Sequence, residues 1–341
     1  MPKKRPQYTP LPFTPVYNTR ERELVPSLPY KSVAVEDSEV WKAELEENGY
    51  TVIAGVAGEQ EVEEARKLLW EWLEGRQTGV RQAAPTTWND SAWPDWPGPG
   101  GKKYGSCKSE GAAHQPAAWY LRGLPTLKSV FSEVWGTDDL IVSYDGLILW
   151  RPWRGRPERC PGSSKLHTDQ NPAARPGFQC VQGMLPLYPV DGEVGGTVLV
   201  PGSHKEQAGL LNRHSNWARE PGRDFCVLGP GDPLQGRERL VPLQPGDLLL
   251  WDSRLVHAGS VGPGRAQSPA GHLARASLCV CMGPRDKASP EVLRAREVAV
   301  EEGWCYSHWP WQANGTKGQL SQRGRSTFKP AELTEEQKQL I

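Results

Sequence analysis

Apolar positions follow two different patterns along the chain. Val62, Ala65, Leu68, Leu69, Trp72 and Leu73 fall on one stripe at helical spacing, which predicts a helix over 59–74 that stops at Gly75. A shorter helix is predicted from Ser38, as N-cap, to Asn48, with Gly49 ending it. Tyr50-Thr51-Val52-Ile53 between the two reads as a strand. From about residue 139 the pattern changes. Leu140–Ser143, Leu147–Trp150, Phe178–Leu187, Thr197–Val200, Leu240–Leu243, Leu248–Trp251 and Leu273–Met282 read as strands bounded by Gly, Pro or Asp. Many short strands with turn punctuation predict a sandwich or barrel such as a jelly roll. Helices are predicted again at Pro290–Glu302 and at Pro330–Gln339.

These patterns describe one mainly β domain with flanking helices. It would comprise an extended or partly disordered arm (1–36), a helical and loop part packing on the core (37–138), a β core (139–285) and a helical or irregular extension (286–341). The stretch 84–118, rich in Pro, Gly and Trp, reads as a long loop placed to cover a site. Its Trp88, Trp93 and Trp96 either form an apolar lid or pack into the interior. Trp251 is expected in the core rather than in a pocket wall.

Charge narrows the range of partners. Lys+Arg and Asp+Glu both number 40, so no global positive field gathers nucleic acid, and nucleic acid is not an expected partner. No run approaches the ~18 apolar residues that a membrane span requires. The start, Met1-Pro-Lys-Lys-Arg-Pro, has no apolar stretch behind it, and Lys3-Lys4-Arg5 reads as a solvated tail before it reads as a nuclear signal. Seven scattered cysteines without a Cys-x-x-Cys pair suit reduced thiols. Together these features lead to the expectation of a soluble, cytoplasmic protein.

Three segments carry candidate chemistry. In Leu166-His167-Thr168-Asp169-Gln170, residues two apart on a strand share a face, so His167 and Asp169 can aim at one point. An imidazole with a carboxylate is the ligand mix for iron(II), although His-x-Asp alone is a weak signal. In Pro245–Gly259, a Pro-Gly-Asp turn launches an apolar strand with His257 beyond its far end, a candidate third ligand. Two His and one carboxylate on one face leave coordination positions open. In Leu273–Met282, alternation puts Arg275, Ser277, Cys279 and Cys281 on one face. A charge inside an apolar strand needs a partner. Either an internal Asp or Glu supplies it, or a dicarboxylic co-substrate does, with Ser277 adding a hydroxyl.

In this order, His167-Thr168-Asp169, then Gly195-Gly196-Thr197-Val198-Leu199-Val200-Pro201-Gly202-Ser203-His204, then Pro245-Gly246-Asp247 through His257, then Arg275, the chain resembles the phytanoyl-CoA dioxygenase (PhyH-like) family of Fe(II)/2-oxoglutarate-dependent oxygenases. The resemblance implies a double-stranded β-helix, a cupin-like jelly-roll core, over about 139–285. It implies Fe(2+) held by His167, Asp169 and His257, and Arg275 on the distal carboxylate of 2-oxoglutarate. It places Gln182 against the co-substrate, with Ser260 a weaker candidate, and makes His204 structural. The interval from His257 to Arg275 is longer than the family pattern because Gly262–Gly271 reads as an inserted loop, which makes Arg265 a rival to Arg275. A rigid strand fixes a guanidinium fork better than such a loop, which favours Arg275.

The function implied is a dioxygenase that uses O2 and 2-oxoglutarate to hydroxylate or otherwise oxidise an unactivated C–H bond of a small molecule, releasing succinate and CO2. Asp169 stands where halogenating relatives carry a small residue, which favours hydroxylation or a related oxidation. The alternatives are a metal-binding jelly roll without turnover and a cupin-like enzyme that does not use 2-oxoglutarate. His308, in Ser307-His308-Trp309, is placed near the opening but outside the metal set.

Overall fold

The computed structural model describes residues 25–94, 104–219, 222–312, 320 and 322–341. The N-terminal part runs β1 (Val33–Ala34), α1 (Ser38–Asn48), β2 (Tyr50–Ala54), α2 (Glu59–Gly75), β3 (Ser106–Cys107), α3 (Pro116–Arg122) and α4 (Pro125–Trp135). Helix α1 starts one residue earlier than its sequence suggests. Asp37, not Ser38, is the N-cap residue, and its carbonyl accepts the N–H groups of Val40 and Trp41. Gly49 closes the helix in the left-handed conformation, its N–H bonded to the Leu45 carbonyl.

Helix α2 buries Val62, Ala65, Leu69 and Leu73 of the predicted stripe, and Trp70 as well. Trp70 lies off the stripe, but the loop after the helix covers it: the Trp88 ring is 5.1 Å away and Trp93 packs 6.1 Å beyond Trp88. Trp88 and Trp93 are 1% and 5% exposed, so they belong to the interior and not to a lid. At ~1.5–3 kcal/mol per large buried apolar side chain, this cluster holds the loop firmly on the helix. Trp96 lies outside the described residues. The 84–118 stretch is also less featureless than its composition suggests, since its described residues include β3, short 3-10 turns and the start of α3.

The core follows as β4 (Leu140–Val142), β5 (Leu147–Trp150), β6 (His167–Thr168), β7 (Val181–Pro186), β8 (Gly195–Leu199), α5 (Gln207–Arg213), β9 (Cys226–Val227), β10 (Arg239–Leu240), β11 (Leu248–Asp252), β12 (His257–Val261), β13 (Arg275–Val280) and β14 (Met282–Pro284). Seven strands form one sheet in the order β1-β2-β11-β7-β13-β5-β3, and five form a second in the order β10-β8-β12-β6-β9. The two sheets face one another across a shared interior. Thr197 of β8 reaches the Met184 sulfur of β7, and the Trp251 ring of β11 lies 5.5 Å from that of His257 on β12. This is the double-stranded β-helix architecture. Its larger sheet is buried on both faces, which is why β11 reads Leu-Leu-Leu-Trp. Leu248 and Leu250 pack toward α2, α3 and α4, while Leu249 and Trp251 face the interior between the sheets.

The Pro-Gly-Asp turn owes its glycine to a close approach. Gly246 has φ +85°, and a Cβ there would run into the Ala57 carbonyl oxygen. Asp247 then ties the turn together, accepting from the Gln244 N–H at 2.8 Å and from the Tyr30 hydroxyl at 3.1 Å.

The predicted strand at Phe178 begins only at Val181, because the preceding residues return the chain from β6. The C-terminal extension contains α6 (Pro290–Glu302), α7 (Gln322–Thr327) and α8 (Glu335–Lys338). Arg296 of α6 is fully buried and donates to the carbonyls of Val142, Pro310 and Leu340 at 2.7–2.9 Å, which ties this end of the chain to β4. Among the described residues, no helix is long and apolar enough to cross a membrane.

Candidate metal centre

His167 and His257 are directly opposed partners on the antiparallel strands β6 and β12, and their rings lie 4.4 Å apart. Each imidazole is fixed by its own backbone. His167 Nδ1 lies 2.7 Å from the Lys165 carbonyl, and His257 Nδ1 lies 2.9 Å from the Leu255 carbonyl. A carbonyl only accepts, so both Nδ1 atoms carry the proton and both Nε2 lone pairs are free to bind a metal.

Asp169 follows β6, held by its N–H to the Ser253 carbonyl at 3.2 Å. Its carboxylate oxygens lie 3.6 Å from His167 Nε2 and 3.4 Å from His257 Nε2. Two donors each ~2.1 Å from one ion would be separated by about 3–3.4 Å, so this set fits a single divalent cation. The three donor atoms all lie within 4.8 Å of one another.

The electrostatics suit that role. Burial lowers the His167 pKa to about 4, with His257 adding to the effect. Burial opposes ionisation of Asp169, but the two neighbouring imidazoles hold its carboxyl well below the usual carboxylate range. Burial lowers the His257 pKa, but the hydrogen bond and charge of Asp169 together with the Leu255 carbonyl outweigh it and raise the pKa overall. Asp169 and His167 are thus held in their ligand forms, a carboxylate and a neutral imidazole, and a metal at His257 would displace a proton.

The wider sequence motifs brace this centre. Gly195 has φ +81°, and a Cβ there would strike the Ser260 carbonyl of the neighbouring strand. The Ser203 hydroxyl accepts the Val256 N–H at 2.9 Å, one residue before His257. His204 Nε2 bonds the Glu46 carbonyl at 2.9 Å, far from the triad role.

Other predicted site residues fall as follows. Gln182 on β7 donates its side-chain amide to Asp169 Oδ2 at 3.2 Å. Arg275, 2% exposed, projects into the interior between the sheets. It touches Met184 Sδ at 2.8 Å and Thr197 Oγ1 at 3.5 Å, and its guanidinium lies 4.7 Å over the Trp150 ring. Among the described residues no carboxylate pairs with it, and its buried Nε has no hydrogen-bond partner. Burial depresses its pKa to about 10.

Ser277 shares Arg275's face, and its buried hydroxyl is also without a partner. Gln182 and Met184 are two residues apart on β7, so Arg275 sits roughly 7 Å along the strand from the metal-binding carboxylate. A short diacid chelated at the metal would span that gap, so the donor set fits such a group. Arg265, by contrast, is tied on the surface to Asp191 at 2.6 Å and Glu193 at 3.4 Å, which removes it as a rival. Ser260 is an odd number of positions from His257 on the same strand and faces away from the centre.

Two neighbours of the centre carried no readable signal. Phe225, still 44% exposed, lays its ring 4.2 Å from that of His167. Lys108 of the Trp-rich stretch is paired with Asp145 at 3.5 Å and feels the field of Asp169. Both lie in irregular connections, where neither helical nor strand periodicity marks which side chains turn inward.

The family model for phytanoyl-CoA dioxygenase (PhyH) matches residues 45–261, a span that includes all three triad residues and ends before Arg275. "Ava biosynthesis cluster protein O" of Aspergillus versicolor is 26% identical over 302 residues, covering 79% of this chain and 85% of that protein. Among solved structures, the α-ketoglutarate-dependent carbocyclase SnoK from nogalamycin biosynthesis is similar with a TM-score of 0.47 at 17% identity, over 74% of this chain and 87% of its own. EctD from S. alaskensis, solved with 2-oxoglutarate and 5-hydroxyectoine, also gives a TM-score of 0.47 at 17% identity, over 80% and 88%. With well over half the chain inside the family match, the protein belongs to the phytanoyl-CoA dioxygenase family and is an enzyme of its non-haem iron, 2-oxoglutarate-dependent class.

Proposed function

We propose that the protein hydroxylates, or otherwise oxidises, an unactivated C–H bond of a small organic substrate, converting 2-oxoglutarate and O2 to succinate and CO2. The observation that carries this reading is Arg275: a buried guanidinium with no carboxylate partner among the described residues, in the same interior as a His–Asp–His triad. A buried charge without a partner is costly, and a dicarboxylate bound at the metal would supply the missing one.

In this reading His167, Asp169 and His257 hold Fe(2+) on one face. Arg275 and Ser277 receive the distal carboxylate of 2-oxoglutarate. Gln182 keeps the Asp169 carboxylate turned toward the metal, a role for which its 3.2 Å bond is well placed. Bound here, iron with 2-oxoglutarate and O2 supplies the oxidising power for attack on the C–H bond. The protein orients the reactants and excludes water: Trp251, Met184, Leu199 and Trp150 surround the interior with apolar surface.

The substrate is proposed as a small metabolite, and the printed name of the Aspergillus relative, a biosynthesis cluster protein, points the same way. Neither nucleic acid nor a membrane is part of the proposal, and the location proposed is cytoplasmic. Anaerobic titration with Fe(II) and 2-oxoglutarate tests it. A weak visible charge-transfer band should form in the wild type and be lost or need far more 2-oxoglutarate in Arg275→Ala. An unchanged titration in that variant would remove Arg275 from the carboxylate role, and no band in the wild type would instead favour a metal enzyme that does not use 2-oxoglutarate.

A further inference from the structure

The C-terminal extension packs against the loop that carries Asp169. The Cys180 thiol lies 3.9 Å from the His308 carbonyl, the Cys180 carbonyl accepts the Ser253 N–H, and the Ser253 carbonyl accepts the Asp169 N–H. Arg175, on the loop after Asp169, lies with its guanidinium 4.4 Å over the Trp309 ring. The segment around His308 is therefore seated on the metal-binding loop.

His308 is 9% exposed, and its Nε2 is buried with no hydrogen-bond partner. His114 and His204, which are structural, each bond a backbone carbonyl through Nε2. The charged groups that act on the His308 ring are Asp169, Asp145, Asp224 and Lys108. Each is already engaged: Asp145 with Lys108, Asp224 with Arg175 at 2.9 Å, and Asp169 with the two triad imidazoles. Burial holds the His308 ring below its ordinary pKa, so it is neutral at pH 7. What is missing beside it is a neutral hydrogen-bonding group. The Phe225 ring, half-exposed and 4.2 Å from that of His167, offers an apolar face beside the triad.

We propose that His308 contacts the substrate: its Nε2 makes one hydrogen bond to a hydroxyl or carbonyl of an uncharged, otherwise apolar substrate that lies against Phe225 beside the triad. This deepens the oxygenase reading and rests on it for the identity of the site.

The test uses 1-naphthol and naphthalene as a matched pair of probes, with binding followed by ligand-observed NMR. It compares wild type, His308→Leu and His308→Gln, each with and without Fe(II) and 2-oxoglutarate, after circular dichroism has shown them folded. Wild type should bind 1-naphthol about three- to tenfold more tightly than naphthalene, the range one neutral hydrogen bond supports. His308→Leu should erase that preference and His308→Gln should restore part of it. No preference in wild type, no binding of either probe, or a preference undiminished in His308→Leu overturns the assignment. The charge-transfer band read in the same samples separates the two claims. A band with an unaltered preference removes His308 alone, and a preference lost in His308→Leu without any band removes the iron reading alone.

Discussion

The Ser203 hydroxyl accepts the backbone N–H of Val256 across the smaller sheet, so the side chain of one motif holds the residue preceding His257 in another. Without that oxygen, a buried N–H is left without a partner, at a cost of ~1–3 kcal/mol. Ser203→Ala should lower unfolding free energy by that amount in urea denaturation and should weaken metal binding by Fe(II) titration. A variant as stable as wild type would show that the hydroxyl is not a brace.

Gln182 donates to the Asp169 carboxylate, so under the proposed function it would support the metal through Asp169. Groups in this relation to a metal ligand typically alter affinity ~10–100-fold. Gln182→Leu should therefore bind Fe(II) at least about tenfold more weakly while folding normally, measured by competition with a chromophoric chelator. Wild-type affinity in this variant would show that the amide does not hold the carboxylate.

Arg275 makes a prediction of opposite sign for stability and for binding. Its pKa is depressed to about 10 by burial, so at pH 7 the guanidinium is charged in folded and unfolded chains alike and the folded chain carries the desolvation cost. That cost is present throughout the neutral range and falls away only as pH climbs from the folded value toward the ordinary one of the unfolded chain. Arg275→Met should leave the unliganded protein at least as thermally stable as wild type. The same variant should lose the increase in Tm that 2-oxoglutarate gives wild type in the presence of a divalent cation. A variant that is destabilised yet keeps the 2-oxoglutarate shift contradicts both halves.

Arg296 should behave in the opposite way. Its guanidinium satisfies carbonyls from β4 and from both parts of the C-terminal extension, with no charged partner needed. Arg296→Met strands several buried acceptors at ~1–3 kcal/mol each. A loss of about 3 kcal/mol or more and early proteolysis after residue 303 are the expected outcomes, read by urea denaturation and limited trypsin digestion.

The sequence was most readable where local period and tertiary burial agree. β11 and β13 are continuous apolar or alternating runs, and the His167, Asp169 and His257 set could be read from motif order. Arg275 was readable because a charge in an apolar strand stands out. Three features were not readable. Trp70 lies outside the apolar stripe of α2, and only the placement of the 80–94 loop over it shows why it is buried. Ser260 looked close to the site because it is close in sequence, yet strand alternation turns it away. Phe225 and Lys108 sit in connections without period, so only the folded chain shows that they border the centre.

Both metal-binding imidazoles come from paired strands inside the barrel, whereas Phe225, Lys108 and His308 come from connecting segments and the far end of the chain. The triad and the side chains that border it are thus encoded in separable stretches. Under the proposed function, drift in the connections would change the groups around the centre while the paired strands that carry the two imidazoles stay under packing constraint.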